Sequence, residues 1–224
     1  MLTLHHLEYS QSFRILWLLE ELGFEYELKI YNRNPETFQA PDEYKALSPL
    51  GTAPVITDDN LVLAESAAIM DYLLDHSENT QFRPPVGNPD HNRYLFWFHA
   101  AQGSMMPLML MEAVFGILKQ RVPFLMRGIV GSALGQASER MIKPRMQKLL
   151  ALAEKDLGDK PWFGGEQLTA ADILIFYSME SAKSRGFVTD EYPNCQAWFE
   201  RVNGLPGFQA AKEKDGRDSI VLRV

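Results

Sequence analysis

Hydrophobic and polar residues follow two different periods in the first third of this chain. Residues 26–31, Tyr-Glu-Leu-Lys-Ile-Tyr, alternate one by one, which is typical of a half-buried β-strand. The apolar run at residues 2–7 predicts an earlier strand. The apolar stretch at residues 12–22, which ends before Gly23, predicts a helix between the two strands. The order strand, helix, strand favours a parallel pair joined by a right-handed crossover.

The pattern continues through one more unit of strands and a helix. A short helix is predicted at residues 42–47. Residues 48–75 then predict a turn, a strand, a tight turn at Asp58-Asp59-Asn60, a second strand and a helix that begins at Glu65 and Ser66. The complete order, β-α-β-α-β-β-α, is that of an α/β thioredoxin-like domain.

The rest of the chain carries helical patterns only. Residues 81–89 are rich in proline and polar residues, and they predict a linker between residues 1–80 and an all-helical domain at residues 90–224. Pro107 and Pro144 fall inside helical patterns, where we expect them to kink or break the helix. Helical spacing or length predicts helices at residues 90–118, 127–157, 170–184 and 193–202.

One helix start in the second domain has a clear signature. Thr169 and Asp172 have the spacing of a capping box, and Leu168 and Ile173 have that of a hydrophobic staple. We therefore assign Asp172 a structural role.

Composition limits the partners of the chain. Its net charge is −7 and it has no Lys/Arg run, which disfavours nucleic acid. No apolar run reaches 18 residues without polar interruption, and the start lacks the pattern of a signal peptide, so we predict no membrane span and no secretion. The single cysteine, Cys195, excludes an internal disulfide and favours a reducing, cytoplasmic location.

Two features of residues 48–75 are suited to holding a ligand. Pro54 lies at the entrance to a strand; a cis Ala53–Pro54 bond would leave the N–H and C=O of Ala53 free to pair with a peptide-like ligand. The helix start at Glu65 and Ser66 offers N–H groups, a hydroxyl and the positive end of the helix dipole to a carboxylate, while Glu65 can accept from an ammonium group. Together they predict a small ligand with a peptide backbone and an α-amino-acid head.

These residues resemble the glutathione-binding half of the cytosolic glutathione S-transferases, and the resemblance covers nearly the whole chain. It implies that the loop Thr52-Ala53-Pro54 binds the cysteinyl backbone of glutathione and that Glu65 and Ser66 bind its γ-glutamyl end. It also implies a cytoplasmic homodimer that uses glutathione as cosubstrate against small hydrophobic electrophiles in detoxification. The Met- and Phe-rich residues 96–115 are then core, dimer contact or lining of the electrophile pocket.

The residue that activates the thiol must lie at the corner between the first strand and the first helix. Residues 8–14, Glu-Tyr-Ser-Gln-Ser-Phe-Arg, resemble the Ser-x-x-x-Arg start of serine-type transferases, particularly a microbial and fungal subgroup. The resemblance implies that Ser10 stabilises the thiolate and that Arg14 is structural. Tyr9 and Ser12 are alternative donors, and a third alternative is that Ser10 or Ser12 only caps the helix. Because neighbours in extended chain point opposite ways, we expect only one of Tyr9 and Ser10 to face the ligand.

Three positions depart from the family pattern. Thr52 stands where many members have a basic residue or glutamine, so the glycine carboxylate of glutathione lacks one expected partner. Gln102 stands where the subgroup has an acidic residue, and Gln11 where it has an arginine. We expect weaker glutathione binding, with Gln102 as an additional candidate contact.

Other chemistry is less well supported by the sequence. His5 and His6 are neighbours in a strand and point to opposite faces, so they cannot chelate one ion, and we predict no metal site. Thiol exchange is disfavoured because the corner at residues 8–14 has no cysteine. Two other functions remain open: a glutathione-dependent peroxidase or dehalogenase, and a non-catalytic glutathione-binding or regulatory protein.

Overall fold

The first half of the chain is a mixed four-stranded sheet with helices, as predicted. A computed structural model describes residues 1–221; residues 222–224, which the predicted helical domain includes, lie outside the described residues. The elements are β1 (Leu2–Leu7), α1 (Phe13–Leu22), β2 (Glu27–Tyr31), α2 (Asp42–Lys45), β3 (Val55–Asp58), β4 (Leu61–Ala64) and α3 (Ser66–Asp75). The strand order is β2-β1-β3-β4; β1 pairs parallel with β2 and antiparallel with β3. This is the thioredoxin-like arrangement.

The strand β1 and the helix α1 form the centre of this half. All six residues of β1 are buried, and so are the first seven residues of α1. The helix ends at Gly23, whose φ of 68° lets its N–H bond to the carbonyl of Leu19. Polar side chains that lie between these two elements are therefore enclosed by protein rather than water.

Two helix bounds differ from the expectation. The helix α2 ends at Lys45, two residues earlier than predicted. The helix α3 begins at Ser66 and not at Glu65, because Glu65 has a φ of 74°, outside the helical region. Glu65 therefore occupies the N-cap position, just ahead of the free N–H groups.

The second half of the chain is helical. Its helices are α4 (His91–Ala100), α5 (Met106–Arg121), α6 (Arg127–Ala137), α7 (Lys143–Asp159), α8 (Ala170–Ser184), α9 (Pro193–Asn203) and α10 (Pro206–Asp215). The sequence pattern missed α10, whose buried residues are Phe208, Ala211 and Asp215, because two apolar positions and one acidic residue make a weak helical stripe. The domain bounds at residues 1–80, 81–89 and 90–224 stay a prediction.

Both interior prolines are accommodated by a change of helical register. Pro107 lies in the first turn of α5, directly after a π-helical turn at Ala101–Met105. Pro144 lies in the first turn of α7, after a π-helical turn at Ser138–Ile142. A π turn disturbs the regular hydrogen-bond ladder, so the absence of an N–H at proline costs less there. The helical run from His91 to Arg121 continues through the first of these turns.

Asp172 anchors the helix that connects the two halves. The predicted capping box at the start of α8 is present, and the carboxylate of Asp172 accepts from the N–H of Thr169 at 3.1 Å. It also accepts from the N–H of Phe163 at 2.7 Å and from the indole of Trp198 at 3.0 Å. Burial raises the pKa of Asp172, while these donors act in the opposite direction. The helix α8 packs between α4 and α1, so its position reaches the first domain.

Candidate functional site

A cavity of about 420 Å³ opens between the turn that follows β1 and the loop that precedes β3. The turn contributes Tyr9, Ser10 and Gln11, and the loop contributes Gly51, Thr52 and Ala53. The bond between Ala53 and Pro54 is cis. Two stretches of chain that the sequence singled out separately therefore line one cavity.

Tyr9 and Ser10 both line this cavity, and the expectation that only one of the two side chains faces the ligand stays a prediction. The rule of alternation applies to extended chain, whereas Tyr9 has a φ of 49°, in the left-handed region. The hydroxyl of Tyr177, on α8, donates to the carbonyl of Tyr9 at 3.2 Å. The helical half of the protein thus helps to hold the turn in place.

The hydroxyls of Ser10 and Ser12 are bonded to each other. Ser10 Oγ lies 2.8 Å from Ser12 Oγ and donates to the carbonyl of Leu7 at 2.7 Å. Ser10 Oγ also accepts from the N–H of Ser12 at 3.2 Å. Ser12 occupies the N-cap position of α1 without a side-chain capping bond, and its side chain is fully buried behind Ser10. Of these two serines, Ser10 is therefore the one that lines the cavity.

Arg14 is a fully buried cation at the back of the site. Its guanidinium donates to the carbonyl of Leu174 at 2.6 Å, to Ser66 Oγ at 3.2 Å, and to the side-chain oxygens of Gln102 and Gln11. Burial lowers the pKa of Arg14 to about 9, and the nearby carboxylate of Glu65 opposes that shift. The hydrogen-bond partners of Arg14 are neutral oxygens, and Glu65 is a nearby carboxylate.

Arg14 also brings together candidate residues from both halves of the chain. Ser66 begins α3, and Gln102 lies in the π-helical turn after α4. Since Ser66 Oγ accepts from Arg14, its own hydrogen remains available for donation to a ligand. Gln11 lines the cavity and contacts both Arg14 and Gln102, so it connects this group to the cavity. Glu65 is exposed beside the group.

The sequence missed several residues of the cavity wall. Lys45, at the end of α2, lies with its ammonium 3.1 Å from a carboxylate oxygen of Asp42. Arg33 and Gln39 come from the loop between β2 and α2, and Tyr177 comes from α8. A cation in α2 was detectable as the basic residue nearest to the Thr52 loop, but no local signal identifies Tyr177, which reaches the site only through tertiary packing.

The remaining reactive residues lie away from the cavity or are enclosed. Burial raises the pKa of the Cys195 thiol, which keeps it protonated. His5 contacts the hydroxyls of Tyr31 and Thr57, while His6 contacts Ser12 and Asp215, so the two imidazoles face opposite sides of β1. Within residues 1–221, no group of three or more His, Cys, Asp or Glu side chains is arranged to hold a metal ion.

Comparisons with known proteins agree over nearly the full length. A family model described as "Glutathione S-transferase, N-terminal domain" matches residues 10–76, and one described as "Glutathione S-transferase, C-terminal domain" matches residues 105–206. Glutathione S-transferase 3 of Schizosaccharomyces pombe is 31% identical over 223 residues, which cover 99% of this chain and 91% of the relative. Glutathione S-transferase 1 of Saccharomyces cerevisiae is 26% identical, and the match covers 96% of this chain and 95% of the relative. The crystal structure of a glutathione S-transferase of Actinobacillus pleuropneumoniae is 33% identical in sequence, with a TM-score of 0.73. The match covers 96% of this chain and 93% of that one.

The buried guanidinium of Arg14 predicts a specific cost of substitution. Arg14→Lys should lower the free energy of unfolding by about 2–4 kcal/mol. An ammonium cannot donate to Leu174, Ser66 and Gln102 at the same time, and its charge would still be buried. Arg83→Lys is the matched control, since Arg83 is partly exposed and pairs with Asp71 and Asp75. It should change the value by less than about 1 kcal/mol. Chemical denaturation measures both, and equal losses in the two variants would contradict the role of Arg14.

Proposed function

The chain belongs to the glutathione S-transferase family and is a glutathione transferase, and on this premise we propose which of its residues bind and activate glutathione. The observation that carries the proposal is that Ser10 and Ala53 line one cavity. Its volume of about 420 Å³ is in the range of small-molecule sites, about 300–1,000 Å³. Glutathione carries two carboxylates, and three cations, Lys45, Arg33 and Arg14, lie in or behind the wall of this cavity.

Ser10 stabilises the thiolate in this proposal. A free thiol has a pKa of about 8.5, and the thiolate is the nucleophile. A hydroxyl that donates to sulfur favours the charged form and lowers that pKa. Ser10 is supported by its place in the cavity wall beside Ala53, whose backbone takes the cysteinyl unit of glutathione. Tyr9 remains the alternative donor, because it lines the same cavity.

The γ-glutamyl end binds at the start of α3. Ser66 and the free N–H groups of the helix take the carboxylate, and Glu65 takes the ammonium group. The bond from Arg14 to Ser66 supports this assignment, because it leaves the hydroxyl hydrogen of Ser66 for the ligand and adds a positive charge behind it. Gln102 supports the same end through its contact with Arg14.

The glycine carboxylate binds to Lys45. Thr52 has no positive charge for the glycine carboxylate, and for this reason the sequence predicts weak glutathione binding. Lys45 lies in the same cavity wall as Thr52 and Ala53, which supports its ammonium as the replacement for the missing partner. With Lys45 as this partner, the absence of a charge at Thr52 need not weaken glutathione binding.

The finer classification follows the same residues. We place the chain in the serine-type, microbial and fungal subgroup, supported by Ser10 and by the two yeast relatives. The domain bounds are those predicted, residues 1–80 and 90–224 with a linker at 81–89. A cytosolic location, which cell fractionation tests, and a small hydrophobic electrophile complete the assignment.

A second copy of the chain covers the apolar face of α4 and α5 in our proposal. The helical run His91–Arg121 is long and apolar enough, by length and composition alone, to cross a membrane. Only 22% of its most apolar 18-residue stretch is buried within one chain. Its exposed apolar residues are Leu95, Phe96, Leu110, Val114 and Leu118. Several exposed apolar residues on one helical run favour an interaction surface. We propose a two-fold dimer there.

Substitution of Ser10 tests its role directly. In an ultraviolet titration of bound glutathione, the intact protein should give a thiol pKa about two units below the free value of about 8.5. Ser10→Ala should return the pKa close to the free value, whereas Tyr9→Phe should retain the shift. A shift lost in Tyr9→Phe and kept in Ser10→Ala would assign the thiolate to Tyr9. An unshifted thiol in the intact protein would contradict activation by either hydroxyl.

Lys45 is tested with two ligands that differ only in the glycine unit. Lys45→Met should weaken glutathione binding by roughly tenfold, in line with loss of a charge-assisted contact. It should leave the binding of glutathione amide unchanged, because in that ligand the glycine carboxylate is replaced by a neutral amide. Titration calorimetry measures both affinities. Equal weakening of the two ligands would contradict the assignment, and the exposed Lys29 provides the control variant Lys29→Met.

The dimer surface is tested by one charge. Leu110 is 63% exposed on α5, and Leu110→Glu should give a monomer in analytical ultracentrifugation because it buries a carboxylate in an apolar interface. Val86, 87% exposed outside that face, provides the control Val86→Glu, which should remain a dimer. A monomeric intact protein, or a dimer that survives Leu110→Glu, would contradict the proposed surface.

A further inference from the structure

A continuous line of hydrogen bonds runs from Ser10 into the interior of the protein. Ser10 Oγ lies 2.8 Å from Ser12 Oγ, and Ser12 Oγ lies 2.8 Å from His6 Nδ1. The other imidazole nitrogen, His6 Nε2, lies 2.7 Å from a carboxylate oxygen of Asp215. All four side chains are buried. The role proposed for Ser10 as donor to a thiolate does not use this line.

The line has a definite direction because a carboxylate can only accept. Facing ionised Asp215, His6 carries its hydrogen on Nε2, and Nδ1 is then an acceptor for the hydroxyl of Ser12. Ser12 Oγ can in turn accept from Ser10. The carbonyl of Leu7, 2.7 Å from Ser10 Oγ and 3.1 Å from Ser12 Oγ, offers each hydroxyl another acceptor at rest.

The neighbouring histidine shows how specific this arrangement is. His5 is equally buried in β1, but its ring nitrogens contact the hydroxyls of Tyr31 and Thr57, at 3.0 and 3.1 Å. A role in docking α10 accounts for the pair of His6 and Asp215 alone. It does not account for the two serine hydroxyls that continue the line from His6 to the wall of the cavity.

We propose that His6 receives the proton that leaves the thiol of bound glutathione, by way of Ser10 and Ser12, and that Asp215 holds His6 in place for this transfer. The inference rests on the proposed position of the thiol beside Ser10. His6 and Asp215 act through Ser10 and do not touch the substrate.

The transfer conserves every proton. Ser10 Oγ takes the proton as the S–H bond breaks, Ser10 passes its own hydrogen to Ser12, and Ser12 passes its own to His6 Nδ1. Both hydroxyls end neutral, with their hydrogens turned toward the substrate, so Ser10 now donates to the thiolate. One S–H bond is lost and one N–H bond is gained. The resulting imidazolium lies beside the carboxylate of Asp215, which offsets its charge.

Three other charged groups surround this pair. Arg217 donates to Asp215 Oδ1 at 3.2 Å and to the carboxylate of Glu8 at 3.0 Å, so its charge is shared between two carboxylates. Arg33 donates through its guanidinium to the carbonyl of Glu8 at 2.9 Å. The bond from Asp215 to His6 is the shortest of these contacts, and both partners are almost inaccessible to water. Asp215 therefore remains the direct counter-charge of His6.

The decisive measurement is the number of protons released to solvent for each thiolate formed. Glutathione is added to the intact protein in weak buffer at pH 7 with an indicator dye, while ultraviolet absorbance counts the thiolate. S-methylglutathione, which has no thiol proton, gives the background from other groups. Retention of the proton by His6 predicts a ratio near zero. A ratio near one overturns the inference, because the proton has then gone to water.

Variants test the path through the ratio of released protons to thiolate, which a loss of stability alone does not change. Ser12→Ala interrupts the line at its centre and should raise the ratio toward one, with about a tenfold loss of thiolate at pH 6.5. His6→Asn should do the same, and Asp215→Asn should weaken retention. The matched control His5→Asn should leave the ratio unchanged. A ratio that stays near zero in both Ser12→Ala and His6→Asn would overturn the path.

Failure of this inference is distinguishable from failure of the proposed function. If no thiolate band forms on the intact protein, the thiolate role of Ser10 is wrong, and the inference falls with it. If the band forms and one proton is released for each thiolate, Ser10 keeps its role and only the path to His6 is wrong.

Discussion

Buried polar side chains around the first strand and helix must find their hydrogen-bond partners inside the protein, and the site depends on this constraint. The strand β1 and most of α1 are enclosed, so His6, Ser12 and Arg14 cannot be hydrated. His6 and Arg14 find partners in distant parts of the chain, whereas Ser12 bonds His6, Leu7 and Ser10 close by. Within the described residues, Ser48 Oγ is the one buried side-chain polar atom without a partner, so this network is satisfied. Satisfying the buried groups also orients the hydroxyls that face the cavity.

The helical half of the chain completes the site rather than only covering it. The carbonyl of Leu174 and the hydroxyl of Tyr177, both on α8, hold Arg14 and the turn at Tyr9. The carboxylate of Asp215, at the end of α10, contacts His6 in β1. The buried cap at Asp172 sets the position of α8, which explains how a residue far from the cavity bears on its geometry. Stability and the geometry of the cavity therefore share the same contacts.

Local pattern predicted the fold and the two walls of the cavity, and tertiary contact supplied the rest. The strands and the box at Thr169 and Asp172 follow from period and spacing, which are local properties. The alternation rule does not apply at Tyr9, whose positive φ is not visible in the sequence. The helix α10 was missed because its stripe is weak, and Asp215 was missed with it. Lys45 was detectable by its nearness to Thr52 in the sequence, whereas Tyr177 reaches the cavity through tertiary packing, which no local stretch of sequence shows.

The central claim is that the sulfur of glutathione meets the hydroxyl of Ser10. A crystal structure of the protein with glutathione bound tests it most directly, through the position of the sulfur relative to the turn after β1. We predict the sulfur within hydrogen-bonding distance of Ser10 Oγ, with the cysteinyl backbone paired to Ala53. A sulfur bonded to the hydroxyl of Tyr9, or placed away from this turn, would contradict the account.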